Sequence, residues 1–136
     1  MKLGKAEKMD EKKTILIVDD MKQMRNILRF SLRKYGYEVN VTSNGYEALN
    51  YAFDGNPLDL ILLDINMPTM DGYEVLRKLR GSEVTKHIPI IFLTAEGQRK
   101  DIQKGLEVGV NDYLVKPFKF ADLHKRIEKL IRNETK

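Results

Sequence analysis

The sequence predicts an α/β fold: about five strands, each followed by a helix, in one parallel sheet covered on both faces. Three observations predict it. The apolar runs are of strand length and unbroken rather than alternating, the signature of strands buried on both sides. After each run and a short turn, apolar residues recur at helical spacing. Strict strand–helix alternation then implies parallel pairing with right-handed crossovers. At 136 residues the chain is of single-domain size and able to bury a substantial core.

Taken in order, Met1–Lys13 has no apolar period and reads as a flexible tail before a folded domain over 14–136. Thr14–Val18 (TILIV) is the first buried strand, and it runs into Asp19 and Asp20. Met24, Ile27, Leu28, Leu32 and Tyr35 line one face of the first helix, with Gly36 placed to end it. Tyr37–Val41 is the second strand in chain order, and Ser43-Asn44-Gly45 is a turn that caps a helix over Tyr46–Phe53. Asp54-Gly55-Asn56-Pro57 breaks that helix before Leu58–Leu63, a central strand ending on Asp64.

Met67-Pro68 and Asp71-Gly72 form the crossover turn, and Val75, Leu76 and Leu79 mark a helix stopped near Gly81. Ile88–Leu93 ends on Thr94. A polar helix over Gly97–Val108 has a thin apolar face of Ile102, Leu106 and Val108, and Gly109 closes it. Asn111–Val115 ends on Lys116-Pro117, and Phe120, Leu123, Ile127, Leu130 and Ile131 line a last helix. The two histidines, His87 and His124, read as surface residues without a role.

Composition narrows the function. With 42% hydrophobic and 32% charged residues the chain suits a soluble globular protein. No apolar run approaches the roughly 20 residues that span a bilayer, and no secretory leader is visible. The absence of cysteine excludes disulfides and thiolate metal sites and fits a cytoplasmic setting. The net charge is +4, but residues 1–13 carry five lysines against three acids, so the fold itself is too evenly mixed to suggest nucleic-acid binding. A monomer without membrane contact is expected.

In a parallel sheet the strand ends share one edge, where such folds bind ligands. That edge collects Asp19, Asp20, Asp64, Thr94 and Lys116. Clustered carboxylates repel and raise one another's pKa unless a cation sits among them. Oxygen donors without His or Cys suit a hard cation, Mg²⁺ above all, which keeps several waters. Beside a lysine and a hydroxyl, such a site is apparatus for gripping phosphoryl oxygens, with Asp64 as the reacting group. Each residue also has a plainer reading. Either acid of the first pair, or Thr94, could cap a helix; Asp64 could be a turn residue, Lys116 a solvated loop residue, Tyr113 a core or surface tyrosine.

These motifs together resemble the receiver domains of two-component response regulators: Asp19-Asp20, Asp64 with Ile-Asn-Met-Pro-Thr-Met-Asp-Gly after it, Thr94-Ala95 and Lys116-Pro117-Phe118. The resemblance runs from about Thr14 to Arg132. It implies a flavodoxin-like (βα)5 three-layer sandwich with strand order 2-1-3-4-5, and a switched binding module rather than an enzyme acting on a free substrate. It further implies that Asp64 accepts a phosphoryl group from a histidine kinase. By the same resemblance Asp20, Asp64 and the main-chain carbonyl of Asn66 hold Mg²⁺, with Asp19 acting mainly through water. Lys116, joined to Pro117 by a cis peptide, pairs with the phosphoryl group. Thr94 bonds it in the active state, and Tyr113 is the switch aromatic.

Asn66 and Glu96 occupy positions that tune dephosphorylation and draw the likeness toward CheY-like, stand-alone chemotaxis regulators. A downstream protein, such as a flagellar motor switch protein or a phosphatase, is the implied partner. Other stand-alone receivers serve as phosphorelay intermediates, which is the alternative. An aspartate-nucleophile phosphohydrolase would place its nucleophile in a DxD after the first strand and carry a cap insertion, and the chain has neither. An FMN carrier would want a hydroxyl- and Gly-rich loop where the chain has Asp-Asp-Met-Lys.

Overall fold

Strands that read as unbroken apolar runs are, in the computed structural model, covered on both sides. The structure describes residues 12–95 and 99–134. The strands are β1 (Thr14–Val18), β2 (Glu38–Thr42), β3 (Leu60–Asp64), β4 (Ile90–Thr94) and β5 (Asp112–Val115). Every residue of β3 and β4 is buried. All pairings are parallel, in the order β2-β1-β3-β4-β5, the expected flavodoxin-like topology. Val18 lies opposite Leu63, Asp64 opposite Leu93 and Thr94 opposite Val115, so the carboxyl ends stand level.

The helices are α1 (Lys22–Lys34), α2 (Gly45–Phe53), α3 (Gly72–Arg80), α4 (Arg99–Val108) and α5 (Phe120–Glu134). Successive strand residues face opposite ways, giving two cores. Ile15, Ile17, Leu60, Leu62, Ile91 and Leu93 meet α1 and α5 through Leu28, Leu32, Leu123 and Ile127. Leu16, Val18, Ile61, Leu63, Ile90 and Phe92 meet α2 and α3 through Ala48, Ala52, Val75, Leu76 and Leu79. Among the described residues no helix is long and apolar enough to cross a membrane.

The turn at Ser43-Asn44-Gly45 caps α2 as expected. Asn44 accepts the Glu47 N–H at 2.9 Å and Glu47 reaches back to the N–H of Ser43, one residue before the cap, at 2.8 Å, a variant of the capping box. Asp71 caps α3 in the same manner, accepting from the Glu74 N–H at 2.9 Å.

Several expectations need correction. β3 begins at Leu60 rather than Leu58, and β4 at Ile90 rather than Ile88. Leu58 and Ile88 are buried apolar residues, which mimics a strand in sequence. Yet the Ile88 N–H turns back to Thr85, and Pro89 has no N–H to pair. β2 is shifted by one residue from the expected Tyr37–Val41. On α1, Ile27 and Tyr35 are exposed, because α5 shares the cover of that sheet face and Leu28 and Leu32 suffice. On α4, Leu106 is 51% exposed and Gly105 faces the core instead.

His124 is not a free surface residue: it is half-buried and stacked on Tyr35, ring centroids 3.7 Å apart. The tail before residue 12, the anticipated first helical residues at 97 and 98, and Glu96 lie outside the described residues.

Candidate functional site

Each group at the carboxyl edge is placed by a nameable backbone feature. β1 ends with the Asp19 N–H bonded to the Thr42 carbonyl at 3.2 Å. Beyond it the chain turns into α1, and the Asp19 carboxylate accepts the Met21 N–H at 2.9 Å. Arg25, one turn into α1, donates to the Asp19 carbonyl at 2.8 Å. Asp19 is thereby fixed and fully buried, whereas Asp20 is exposed to solvent at the mouth. Met21 occupies the N-cap of α1 without a side-chain cap bond. The reading of Asp20 as that cap is set aside, and its carboxylate is left facing the cluster.

Asp64 ends β3 with 3% exposure. The loop after it folds tightly back: the Gly72 N–H donates to the Ile65 carbonyl at 2.9 Å. A Cβ at Gly72 would lie 2.6 Å from the Asp64 carbonyl oxygen, so only glycine lets α3 start against the backbone of Asp64. The Asn66 N–H donates to Asp64 Oδ1 at 3.1 Å.

Thr94 is buried at the end of β4, and among the described residues its hydroxyl has no hydrogen-bond partner. Buried polar atoms are seldom left so. Next to it, the Lys116 N–H donates to the Thr94 carbonyl at 2.7 Å, and the Lys116-Pro117 peptide is cis.

These placements converge. Lys116 Nζ lies 3.3 Å from Asp19 Oδ2 and 3.7 Å from Asp64 Oδ1. Carboxylate oxygens of Asp19, Asp20 and Asp64 come within 4.8 Å of one another. Burial pushes the Asp64 carboxyl up to about 6; Lys116 and the Asn66 N–H oppose the rise, and Asp19 and Asp20 add to it. Three carboxylates facing one ammonium remain short of positive charge. Three convergent oxygen donors with an open, solvent-facing side fit a hard divalent cation that retains water.

Tyr113, on β5, is 38% exposed. Arg25 and Gly72 were not legible as parts of the site. An arginine within a basic helix carries no signal for a carbonyl six residues before it, and Gly72 reads as a turn residue.

A doubly wound parallel sheet with an acid, hydroxyl and ammonium cluster at its carboxyl edge defines, as a class, an α/β protein with a polar ligand site at its strand ends. Comparison with known proteins makes the class definite. The family model described as the response regulator receiver domain matches residues 15–128, and the chain belongs to that family, as a receiver domain of two-component signalling. A probable transcriptional regulator, ycf27 of Pyropia yezoensis, is 43% identical over 93% of the chain and 51% of its own length. The chain thus spans about half the length of the curated relatives it matches. Chemotaxis protein CheY4 of Vibrio cholerae superposes with a TM-score of 0.82 at 35% identity, covering 88% of this chain and 99% of CheY4. The receiver domain of the sensor histidine kinase PA1611 of Pseudomonas aeruginosa, solved with a magnesium ion coordinated in its active-site cleft, gives 0.81 at 36% identity over 89% of this chain and 98% of its own.

Proposed function

We propose that Asp64 accepts a phosphoryl group from the phosphohistidine of a histidine kinase, and that the modified form binds a downstream protein. The observation that carries this reading is the Lys116 ammonium set between Asp19 and Asp64, 3.3 and 3.7 Å away. In the transfer an Asp64 carboxylate oxygen bonds to phosphorus as the phosphorus–nitrogen bond breaks, and the departing imidazole keeps that electron pair. With its carboxyl at about 6, Asp64 is mostly ionised at neutral pH yet more basic than an ordinary carboxylate, which favours attack.

Lys116 offsets the charge gathering on the phosphoryl oxygens, and the Asn66 N–H steadies the Asp64 carboxylate for it. Asp20, Asp64 and the Asn66 carbonyl would hold Mg²⁺, with Asp19 acting mainly through water. The ion, when bound, neutralises phosphoryl charge and favours in-line approach. Asn66 and Glu96 are proposed to set how fast the acyl phosphate hydrolyses. The chain acts in this account on its own phosphorylation and dephosphorylation only, as a cytoplasmic switch.

The Thr94 hydroxyl then gains the partner it lacks, and the Tyr113 ring can follow it inward. Two pre-existing arrangements are biased in this way, with a coupling of about 1–3 kcal/mol being typical. The readout surface is α4, β5 and α5. A chemotaxis output is supported by the overlap with nearly all of CheY4. A transcriptional output is favoured by the higher identity to ycf27.

Acetyl phosphate with Mg²⁺ should add one phosphoryl group, seen by intact mass, and Asp64→Asn should abolish it. Labelling that survived the substitution would defeat the assignment. Capture of partners with and without beryllofluoride separates the two outputs.

A further inference from the structure

Helix α4 offers the core almost no side chain. Among its residues of described burial only Gly105 is buried. A Cβ there would lie 2.3 Å from Phe92 Cε2, so the ring of the fully buried Phe92 occupies the space a side chain would need. Mid-helix glycine costs about 0.5–1 kcal/mol relative to alanine, and here the packed ring offsets it.

The same end of α4 is bound by hydrogen bonds. The Gly105 carbonyl accepts from the N–H groups of both Gly109 and Val110 at 2.8 Å. Gly109 turns the chain at φ +122°. Arg80, the last residue of α3, donates through Nε to the Gly109 carbonyl at 2.9 Å, through one terminal nitrogen to Asn111 Oδ1 at 2.9 Å, and through the other to the Lys86 carbonyl at 3.2 Å. Asn111 Oδ1 also takes the Ile90 N–H at 2.8 Å. One guanidinium thus ties together the end of α4 and the entries to β4 and β5, at the sheet edge opposite the acids. Phe92 stands two residues before Thr94 on β4 and therefore on the same face.

We infer that α4 is hinged at Gly105–Gly109, with the Phe92 ring as fulcrum and Arg80 as clamp, so that a change at Thr94 tilts the first half of the helix. What drives the tilt rests on the phosphoryl reading above; the hinge itself does not.

Amide hydrogen exchange on the intact chain tests both halves. In Arg80→Gln without any ligand, exchange at Gly109 and Val110 should quicken roughly tenfold while β1 stays protected. Unchanged exchange there would overturn the clamp. With Mg²⁺ and beryllofluoride, wild-type exchange should change at residues 102–104 and stay within about twofold at 106–110. A uniform change along α4 would overturn the hinge. Gly105→Ala should lower stability alone and much less when combined with Phe92→Leu; strictly additive effects would overturn the fulcrum. Should beryllofluoride fail to bind, the phosphoryl reading falls, while the ligand-free Arg80→Gln comparison and the Gly105–Phe92 cycle still decide the hinge.

Discussion

Lys116 Nζ and Asp19 Oδ2 lie 3.3 Å apart although 97 residues separate them in the chain. The contact joins the loop after β5 to the loop after β1 across β3 and β4 and draws them together at the carboxyl edge of the sheet. Asp19 is fully buried, so its carboxylate depends on this ammonium and on the Met21 N–H. Asp64 shares the same lysine at 3.7 Å.

Lys116→Met should therefore act on both stability and chemistry. Removing one partner of a buried pair costs about 3–5 kcal/mol; Lys116 is partly exposed, which lowers the expectation to about 1–3 kcal/mol. The rate of labelling by acetyl phosphate should fall roughly 100-fold, as for loss of one donor to a developing oxyanion. Urea denaturation and a mass-spectrometric time course check the two effects separately.

Burial of Asp64 makes a prediction with a definite sign. Its carboxyl stands at about 6 against 3.8 ordinarily. Between about pH 4 and 6 the folded chain holds a proton that the unfolded chain has lost. This contribution favours folding below pH 4 and is lost as pH rises through 6. Asp64→Asn should thus stabilise the chain at pH 7 by about 1–3 kcal/mol and leave it nearly unchanged at pH 4. Denaturation midpoints at the two values decide it. Mg²⁺ affinity in the wild type should fall below pH 6, since protons compete for the same oxygens.

Asp20 is exposed and makes no cap bond, so its worth lies in the cation alone. Asp20→Ala should weaken Mg²⁺ binding by about 10–100-fold, by analogy with the loss of groups that support a metal site. Stability without the ion should shift by less than about 0.5 kcal/mol. Calorimetric titration alongside thermal melts would expose the opposite pattern, which would make Asp20 structural.

How far the sequence discloses this site depends on the kind of signal each residue carries. Strands buried on both faces leave unbroken apolar runs, so β1, β3 and β4 and the acids and hydroxyl at their ends were legible; the edge strands β2 and β5 are only partly buried and show more weakly, through a few apolar residues between turns. Boundaries were less so: Leu58 and Ile88 are as apolar as the strands they precede, and only hydrogen bonding separates them. Helix faces misled where a neighbour shares the cover, as at Ile27, or where the packed position is a glycine. Gly105 is silent in any hydrophobic period, so the spacing points to Leu106 beside it instead. His124 gave no sign of its stacking on Tyr35, because that contact joins helices far apart in sequence.

Gly72 shows the same silence with a larger consequence. A methyl at this position meets the Asp64 carbonyl at 2.6 Å and Ile65 Cα at 2.8 Å, both of them backbone. Nothing flexible can yield, so Gly72→Ala should cost about 2–4 kcal/mol. It should also slow acetyl phosphate labelling by shifting the Asp64 loop. A melt and a labelling assay close to wild type would show that the loop relaxes freely.

Thr94 carries the last prediction because it separates fold from switch. Its hydroxyl is buried and unpaired, a state that costs about 1–3 kcal/mol. Thr94→Val keeps the shape and removes the orphan, so the unmodified chain should gain about 1–2 kcal/mol in urea denaturation. Asp64 is untouched, and labelling should proceed. With no hydroxyl to meet the phosphoryl oxygens, however, the modified variant should bind its partner no better than the unmodified one. A stabilised variant that still switched would mean that the unpaired hydroxyl is incidental and that Tyr113 or Lys116 transmits the change without it.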